Sequence, residues 1–328
     1  MQLCRARVLR YTVSSIMPHR AQYRGVVFAK RYFYRKKQIS YMKIAILGTS
    51  YEQRYDRSLV DVIEILLRNG VDIFIEESFR RYIGDRVSIP EVSVVPLDDI
   101  EADMAISFGG DGTYLVTSHT LARKNIPILG INAGHLGFLA DVSTSEIESV
   151  LLDVVEGRYT TESRVMLDVR FSDGTESART VLNEVAVLRG DTCSMLTLDL
   201  YVDGEFVNSY KSDGLLVSTP TGSTAYSLSV GGPIVSPDSA DFIISPIAPH
   251  SLTVRPLIVR DDRTIEIRMK SCAESYQIAV DGYSMHLPDS TSITVKKSEY
   301  SITSIQPEGH TFFKTLRSKL MWGADTRL

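Results

Sequence analysis

The chain changes texture near residue 160, and that change limits the folds open to it. From Met42 to about residue 158, apolar strands alternate with amphipathic helices, the pattern of a parallel or mixed α/β sheet. Strands are predicted at 44–47, 71–75, 92–95, 102–108 and 126–131. Leu59, Ile63, Leu66 and Leu67 share one helical face that Gly70 terminates; a later helix opens on the capping box Ser143-Thr144-Ser145-Glu146, buries Ile147, Val150, Leu151 and Val154, and stops at Gly157. Beyond residue 160 the strands are short and alternating (167–171, 181–188, 196–202, 265–269), which predicts an all-β, sandwich-like domain. The last segment returns to helical spacing, with Phe312, Phe313, Leu316, Leu320 and Trp322 on one side, and is expected to pack back on the first domain or on another subunit.

At 328 residues and 44% hydrophobic content the chain can bury a core for two domains. The expected boundaries are 42–160 for the α/β domain, 161–305 for the β-rich domain and 306–328 for the terminal helical segment. Residues 1–42 hold ten Lys or Arg and no acid, leaving 26 basic against 40 acidic residues in the rest. An acidic body argues against nucleic acid, whose phosphates are bound by Lys and Arg. Residues 1–41 read as a basic extension outside the fold, with Met42 as the natural start. No apolar run reaches the roughly 20 residues that span a bilayer, so no membrane association is expected. Cys4, Cys193 and Cys272 give neither a disulfide framework nor a metal spacing, which points to a reducing, cytoplasmic setting.

Within the α/β region, Gly109-Gly110-Asp111-Gly112-Thr113 falls where an apolar strand gives way to a helix. Glycines admit a ligand close to the backbone, and a helix N-terminus there offers N–H groups to a phosphate. Asp111 would be costly beside a phosphate unless it takes part in proton transfer or metal binding. The competing reading is a hairpin, since Asp-Gly between apolar runs is a strong type I′ signal. Five Asp-Gly pairs occur; 173–174, 203–204 and 281–282 read as ordinary hairpins, whereas 111–112 and 213–214 have different flanks. Spacing alone leaves both readings of the loop open.

Three further stretches stand out. The run Thr219-Pro220-Thr221-Gly222-Ser223-Thr224-Ala225-Tyr226-Ser227-Leu228-Ser229 is dense in short hydroxyl donors, with Tyr226 offering a face to a base; the alternative is a polar surface loop. Asn183-Glu184 interrupts an apolar strand, so at least one of the two enters a core or a site unless the strand lies at an edge. Asn132-Ala133-Gly134-His135-Leu136-Gly137-Phe138-Leu139 follows a strand, where α/β loops carry ligand contacts; His135 alone receives no role. No Walker A loop, protein-kinase glycine loop, HExxH helix or Gly-x-Ser-x-Gly elbow is present.

These stretches, in this order and with Gly231-Gly232-Pro233, Pro249-His250-Ser251-Leu252 and Arg255-Pro256, closely resemble the NAD kinases from Met42 to the terminal helix. The resemblance implies an α/β domain followed by a β-sandwich-like domain, a site between them, and a homodimer or homotetramer whose subunits share that site. The implied reaction moves the terminal phosphoryl group of ATP to the 2′-hydroxyl of the adenosine ribose of NAD, with Mg²⁺ or Mn²⁺ offsetting phosphate charge. Asp111 matches the family's general base, flanked by the phosphate-loop residues Gly109, Gly110, Gly112 and Thr113. By the same matching Asn183 and Glu184 hold the ribose and adenine, Asp213 the nicotinamide end, and Thr221, Thr224, Ala225, Tyr226, Ser227, Leu228 and Ser229 the dinucleotide. Lys211 falls at a basic or polar contact position. Tyr283 departs from the Gln found in many members. Other readings are a lipid kinase of the diacylglycerol type with the same glycine loop, and a catalytically silent NAD(P)-binding sensor.

Overall fold

The computed structural model describes residues 42–49, 52–85, 87–134, 137–172, 174, 179–190, 195–271 and 275–322. The basic extension, the three cysteines, His135 and Asp173 lie outside the described residues. The first half runs β1 (Lys43–Leu47), α1 (Asp56–Arg68), β2 (Asp72–Glu76), α2 (Glu77–Ile83), β3 (Ser93–Val95), β4 (Met104–Gly109), α3 (Asp111–Leu121), β5 (Ile128–Asn132), β6 (Val142–Ser143) and α4 (Ile147–Val155). There follow β7 (Tyr159–Phe171), β8 (Arg179–Val181), β9 (Glu184–Leu188), β10 (Leu196–Val202), β11 (Glu205–Ser212), β12 (Gly214–Ser218) and the single turn α5 (Tyr226–Ser229). The chain ends with β13 (Asp241–Ile247), β14 (Leu257–Arg260), β15 (Ile265–Ser271), β16 (Ser275–Val280), β17 (Tyr283–Pro288), β18 (Ile293–Pro307) and α6 (Phe312–Leu320).

Strands β5, β4, β1, β2 and β3 lie side by side and parallel. Parallel strands are covered on both faces, which explains their unbroken apolar sequences: β4 and β5 are buried almost throughout. Chain order reverses between β1 and β4, because β2 and β3 lie to one side of β1 while β4 and β5 lie to the other. At such a switch point the carboxyl ends of neighbouring strands leave a crevice. Gly109 and Gly110 sit at that end of β4, and Gly48 and Thr49 at that end of β1.

Strand β18 pairs in parallel with β5 and passes the sheet on to β15, β10 and β11, so the α/β sheet and one layer of the β region form a single sheet of 12 strands. A second, antiparallel sheet of six strands (β14-β13-β12-β9-β16-β17) covers the β layer. Leu167, Leu198 and Leu200 from one sheet meet Val185, Val187, Leu215 and Ile278 from the other in a shared apolar core. Helices α1 and α4 cover one face of the parallel strands; α3 covers the other, where Tyr114 and Leu121 pack with Leu139, Met166 and Leu182.

Some local expectations change. Leu67 is exposed, because α1 turns Ile63 and Leu66 inward and leaves their neighbour at the rim. In the capping box, the Ser143 hydroxyl donates to Glu146 instead of capping an amide, and α4 begins only at Ile147. Helix α6 buries Thr315 and Leu316, whereas Phe313, Leu320 and Trp322 stay exposed. The expected strand 181–188 is two strands, β8 in the large sheet and β9 in the small one, with Leu182 and Asn183 at the crossing.

Candidate active site

The glycine loop is a strand-to-helix turn, not a hairpin. Gly110 is the extended N-cap of α3, and Asp111 and Gly112 are already helical. By contrast, 203–204 and 281–282 are two-residue hairpins with both residues at positive φ (51° and 81°; 44° and 84°). The first helical bond runs from Tyr114 N to Gly110 O, so the amides of Asp111, Gly112 and Thr113 precede it at the positive end of the helix. The Thr113 hydroxyl lies 2.9 Å from that of Thr49, tying the loop to the end of β1 across the switch point.

Asp111 is held by the chain that follows β5. Its carboxylate accepts from the amides of Phe138 (2.8 Å), Leu139 (3.0 Å) and Ala140 (3.0 Å). Asn132 shapes this cradle, donating to Ala140 O at 3.1 Å and accepting from Gly134 N at 2.7 Å. Gly137 admits the carboxylate, since a Cβ there would meet Asp111 Cγ at 2.5 Å. The stretch expected to carry ligand contacts thus builds the seat of Asp111.

Asn183 and Glu184 are both buried, and the residue that positions them is Asp281 in the turn between β16 and β17. Its buried carboxylate accepts from the amides of Leu182 (2.7 Å), Asn183 (2.8 Å) and Glu184 (3.1 Å), and from His119 Nε2 on α3 at 2.6 Å. Three successive amides converging on one carboxylate explain why the strand breaks here: these donors leave the sheet ladder without going unpaired. Burial, with the nearby Asp281 charge, pushes the Glu184 carboxyl up to about 8, against a smaller lowering by a hydrogen bond from the Tyr226 backbone. Glu184 Oε2 and Asn183 Oδ1 have no partner.

The hydroxyl-rich run folds onto the same point. Thr219 donates its amide to Asn183 O at 2.9 Å and its hydroxyl to Leu182 O at 2.6 Å. Gly222 must be glycine, because a Cβ would fall 2.6 Å from the Asn183 carbonyl carbon. Thr221, Thr224, Ala225, Tyr226, Ser227, Leu228 and Ser229 follow as a 3₁₀ turn and the single helical turn α5. The hydroxyls of Thr221 and Ser227 are buried without partners, as are those of Ser218 and Ser245. Buried polar groups left unpaired cost free energy unless a ligand completes them.

Lys211 and Asp213 stand apart. Lys211 lines a separate groove of about 670 Å³ with His250 and Arg255. Asp213 is half exposed, with its Oδ1 3.3 Å from Arg189 Nε. Tyr283 is exposed beneath the Arg179 guanidinium, 4.4 Å from the ring centroid. Sequence reasoning missed His119 and Asp281. Asp281-Gly282 carried the hairpin signature, which the backbone obeys, and nothing local marks its carboxylate as buried.

A glycine-lined helix terminus at a switch point, a seated carboxylate, and a buried array of unpaired donors and acceptors are the features of a candidate nucleotide phosphotransferase site. Residues 44–159 match the family model of the ATP-NAD kinase N-terminal domain, and 182–306 that of the ATP-NAD kinase C-terminal domain. The chain is 40% identical to the NAD kinase of Bacteroides fragilis over 290 residues, covering 88% of this chain and all of that one. Among solved structures, it resembles yeast NADH kinase complexed with NADH (TM-score 0.79, 25% identity, 89% of this chain and 90% of that one). It also resembles an NAD kinase from Archaeoglobus fulgidus in complex with ATP (TM-score 0.63, 28% identity, 85% and 98%). The chain belongs to the ATP-NAD kinase family.

Proposed function

We propose that this NAD kinase makes NADP from NAD and ATP with Asp111 as the general base. The ribose 2′-oxygen attacks the terminal phosphorus of ATP and gives up its proton to Asp111. The bond from that phosphorus to its bridging oxygen breaks, and the electron pair leaves with ADP. The observation that carries the base assignment is the seating of Asp111. A carboxylate offers about four lone-pair sites; three are taken by amides, which leaves one to accept a hydroxyl proton in a fixed direction. Gly109, Gly110, Gly112 and Thr113 supply the backbone against which phosphates lie.

Asn183 and Glu184 hold the adenosine ribose and adenine. Their unpaired buried atoms support this, because Glu184, protonated near neutral pH, can donate to a ring nitrogen or accept from a hydroxyl. Thr221 and the turn from Thr224 to Ser229 hold the dinucleotide. Lys211 and Asp213 serve its far end, across a groove that a second subunit completes. Exposed Phe206, Leu252 and Ile258 give that homodimer or homotetramer an apolar contact. A divalent ion, Mg²⁺ or Mn²⁺, offsets phosphate charge when bound. Among the described residues no group of three or more His, Cys, Asp or Glu is arranged to hold a metal ion; the ion would be carried on the phosphates near Asp111. Among the described residues no helix is long and apolar enough to cross a membrane. The cysteine usage supports a cytoplasmic setting. A lipid kinase and a silent sensor are both disfavoured: the matches extend through the C-terminal domain, and Asp111 is present.

The test is NADP formation from purified protein, ATP, Mg²⁺ and NAD, read through an NADP-specific dehydrogenase. Asp111→Asn is expected to lower kcat by about 100-fold or more while NAD still binds. An undiminished variant would defeat the base assignment.

A further inference from the structure

Helix α6 reaches the Asp111 cradle from the opposite side. Ala140, whose amide donates to Asp111, is followed by Asp141, whose Oδ2 lies 3.4 Å from both the Thr315 hydroxyl and His310 Nδ1. The same short segment is therefore gripped by Asp111 on one side and by α6 on the other. One turn beyond Thr315, the half-buried Lys319 places its ammonium 5.9 Å from the centroid of the Phe138 ring. Phe138 is also the residue whose amide donates to Asp111 at 2.8 Å. No carboxylate lies within ion-pairing distance of Lys319 among the described residues.

We propose that Lys319 is a further catalytic residue, its ammonium binding a non-bridging oxygen of the phosphoryl group as that group passes from ATP to the ribose oxygen held by Asp111. The inference rests on the assignment of Asp111 to the reacting hydroxyl. Charge in this transfer spreads over the three outer oxygens of the moving group, and a fixed cation lowers the barrier more than it aids substrate binding. An ammonium suits the task as a compact point charge on a flexible stem. The covalent changes are those already written, with the proton passing to Asp111 and not to Lys319. Burial holds the Lys319 amine below the ordinary lysine range, with the Asp111 charge pulling the other way.

The experiment compares full-length Lys319→Met, Lys319→Arg and Arg317→Gln with the parent for kcat, KM for ATP, NAD affinity and melting midpoint. Lys319→Met is expected to lose about 100-fold or more in kcat with NAD affinity and midpoint unchanged. Lys319→Arg should recover about tenfold of that loss, and Arg317→Gln, an exposed cation on the same helix, should stay within about twofold of the parent. A Lys319→Met kcat within about threefold of the parent, or a loss matched by lost folding or NAD binding, overturns the proposal. Asp111→Asn is assayed in parallel, so failure of the base assignment shows in that variant while the Lys319 comparison stays readable.

Discussion

His119 and Asp281, 162 residues apart in the chain, meet at 2.6 Å. This bond joins helix α3, which opens on the glycine loop, to the turn that holds the amides of Asn183 and Glu184. A carboxylate only accepts, so His119 Nε2 carries the shared hydrogen and the imidazole spans two walls of the site.

Asp281→Ala is expected to strand four donors around one buried point. Leaving a buried group unpaired costs about 1–3 kcal/mol, so a clear drop in denaturation midpoint and a raised KM for NAD should appear together. His119→Gln, which keeps a donor, should change either quantity much less than His119→Ala. Denaturant titration with steady-state kinetics checks both.

Two glycines separate the two halves of the reaction. Gly137→Ala places a methyl group against Asp111 and is expected to reduce kcat by about tenfold or more while sparing NAD affinity. Gly222→Ala pushes on the Asn183 carbonyl and is expected to raise KM for NAD instead. An equal effect of both variants on kcat and KM would contradict this division.

Glu184 makes stability depend on pH. Its folded-state pKa, about 8, lies above the ordinary carboxylate value of 4.5, so the folded state holds a proton that the unfolded state releases. Stability is therefore highest below pH 4.5 as far as this group is concerned, and falls as pH rises from there through 8. Glu184→Gln should flatten that fall and exceed the parent at pH 8 by on the order of 2 kcal/mol, allowing for relaxation around the charge. Parallel urea titrations at pH 6 and pH 8 measure the difference.

His310 acts in the same sense, from a higher starting pH. Its hydrogen bond to Asp141 holds its pKa above the ordinary 6.5. The stabilisation is fully present below pH 6.5 and is lost as pH rises through the folded value. Amide exchange in α6 should therefore quicken on the alkaline side, and His310→Ala should show fast exchange at every pH. No difference between the variant and the parent at pH 6 would rule out this anchoring.

The order of elements in the α/β half was readable because parallel strands are buried on both faces and amphipathic helices repeat every three to four residues. The break at Leu182 and Asn183 was not, since Val181 to Leu188 has the composition of one strand and the break depends on amides drawn to Asp281. The burial of Thr315 on α6 was not readable for a related reason. Thr315 is buried because Asp141 accepts from it, which hydrophobic spacing does not register.

Local matters were legible in the sequence: where strands and helices form, that Gly109 to Thr113 is rich enough in glycine to admit phosphates, and, by resemblance, which family's residues recur in order. Tertiary structure alone decided which polar groups meet. Asp111, Asp203 and Asp281 each precede a glycine, yet one is seated on loop amides at a helix terminus, one caps an exposed hairpin, and one is buried against the amides at the start of β9. The reason is physical: backbone preference depends on a residue and its neighbours, whereas the hydrogen-bond partners of a carboxylate depend on which distant amides the two sheets bring within about 3 Å.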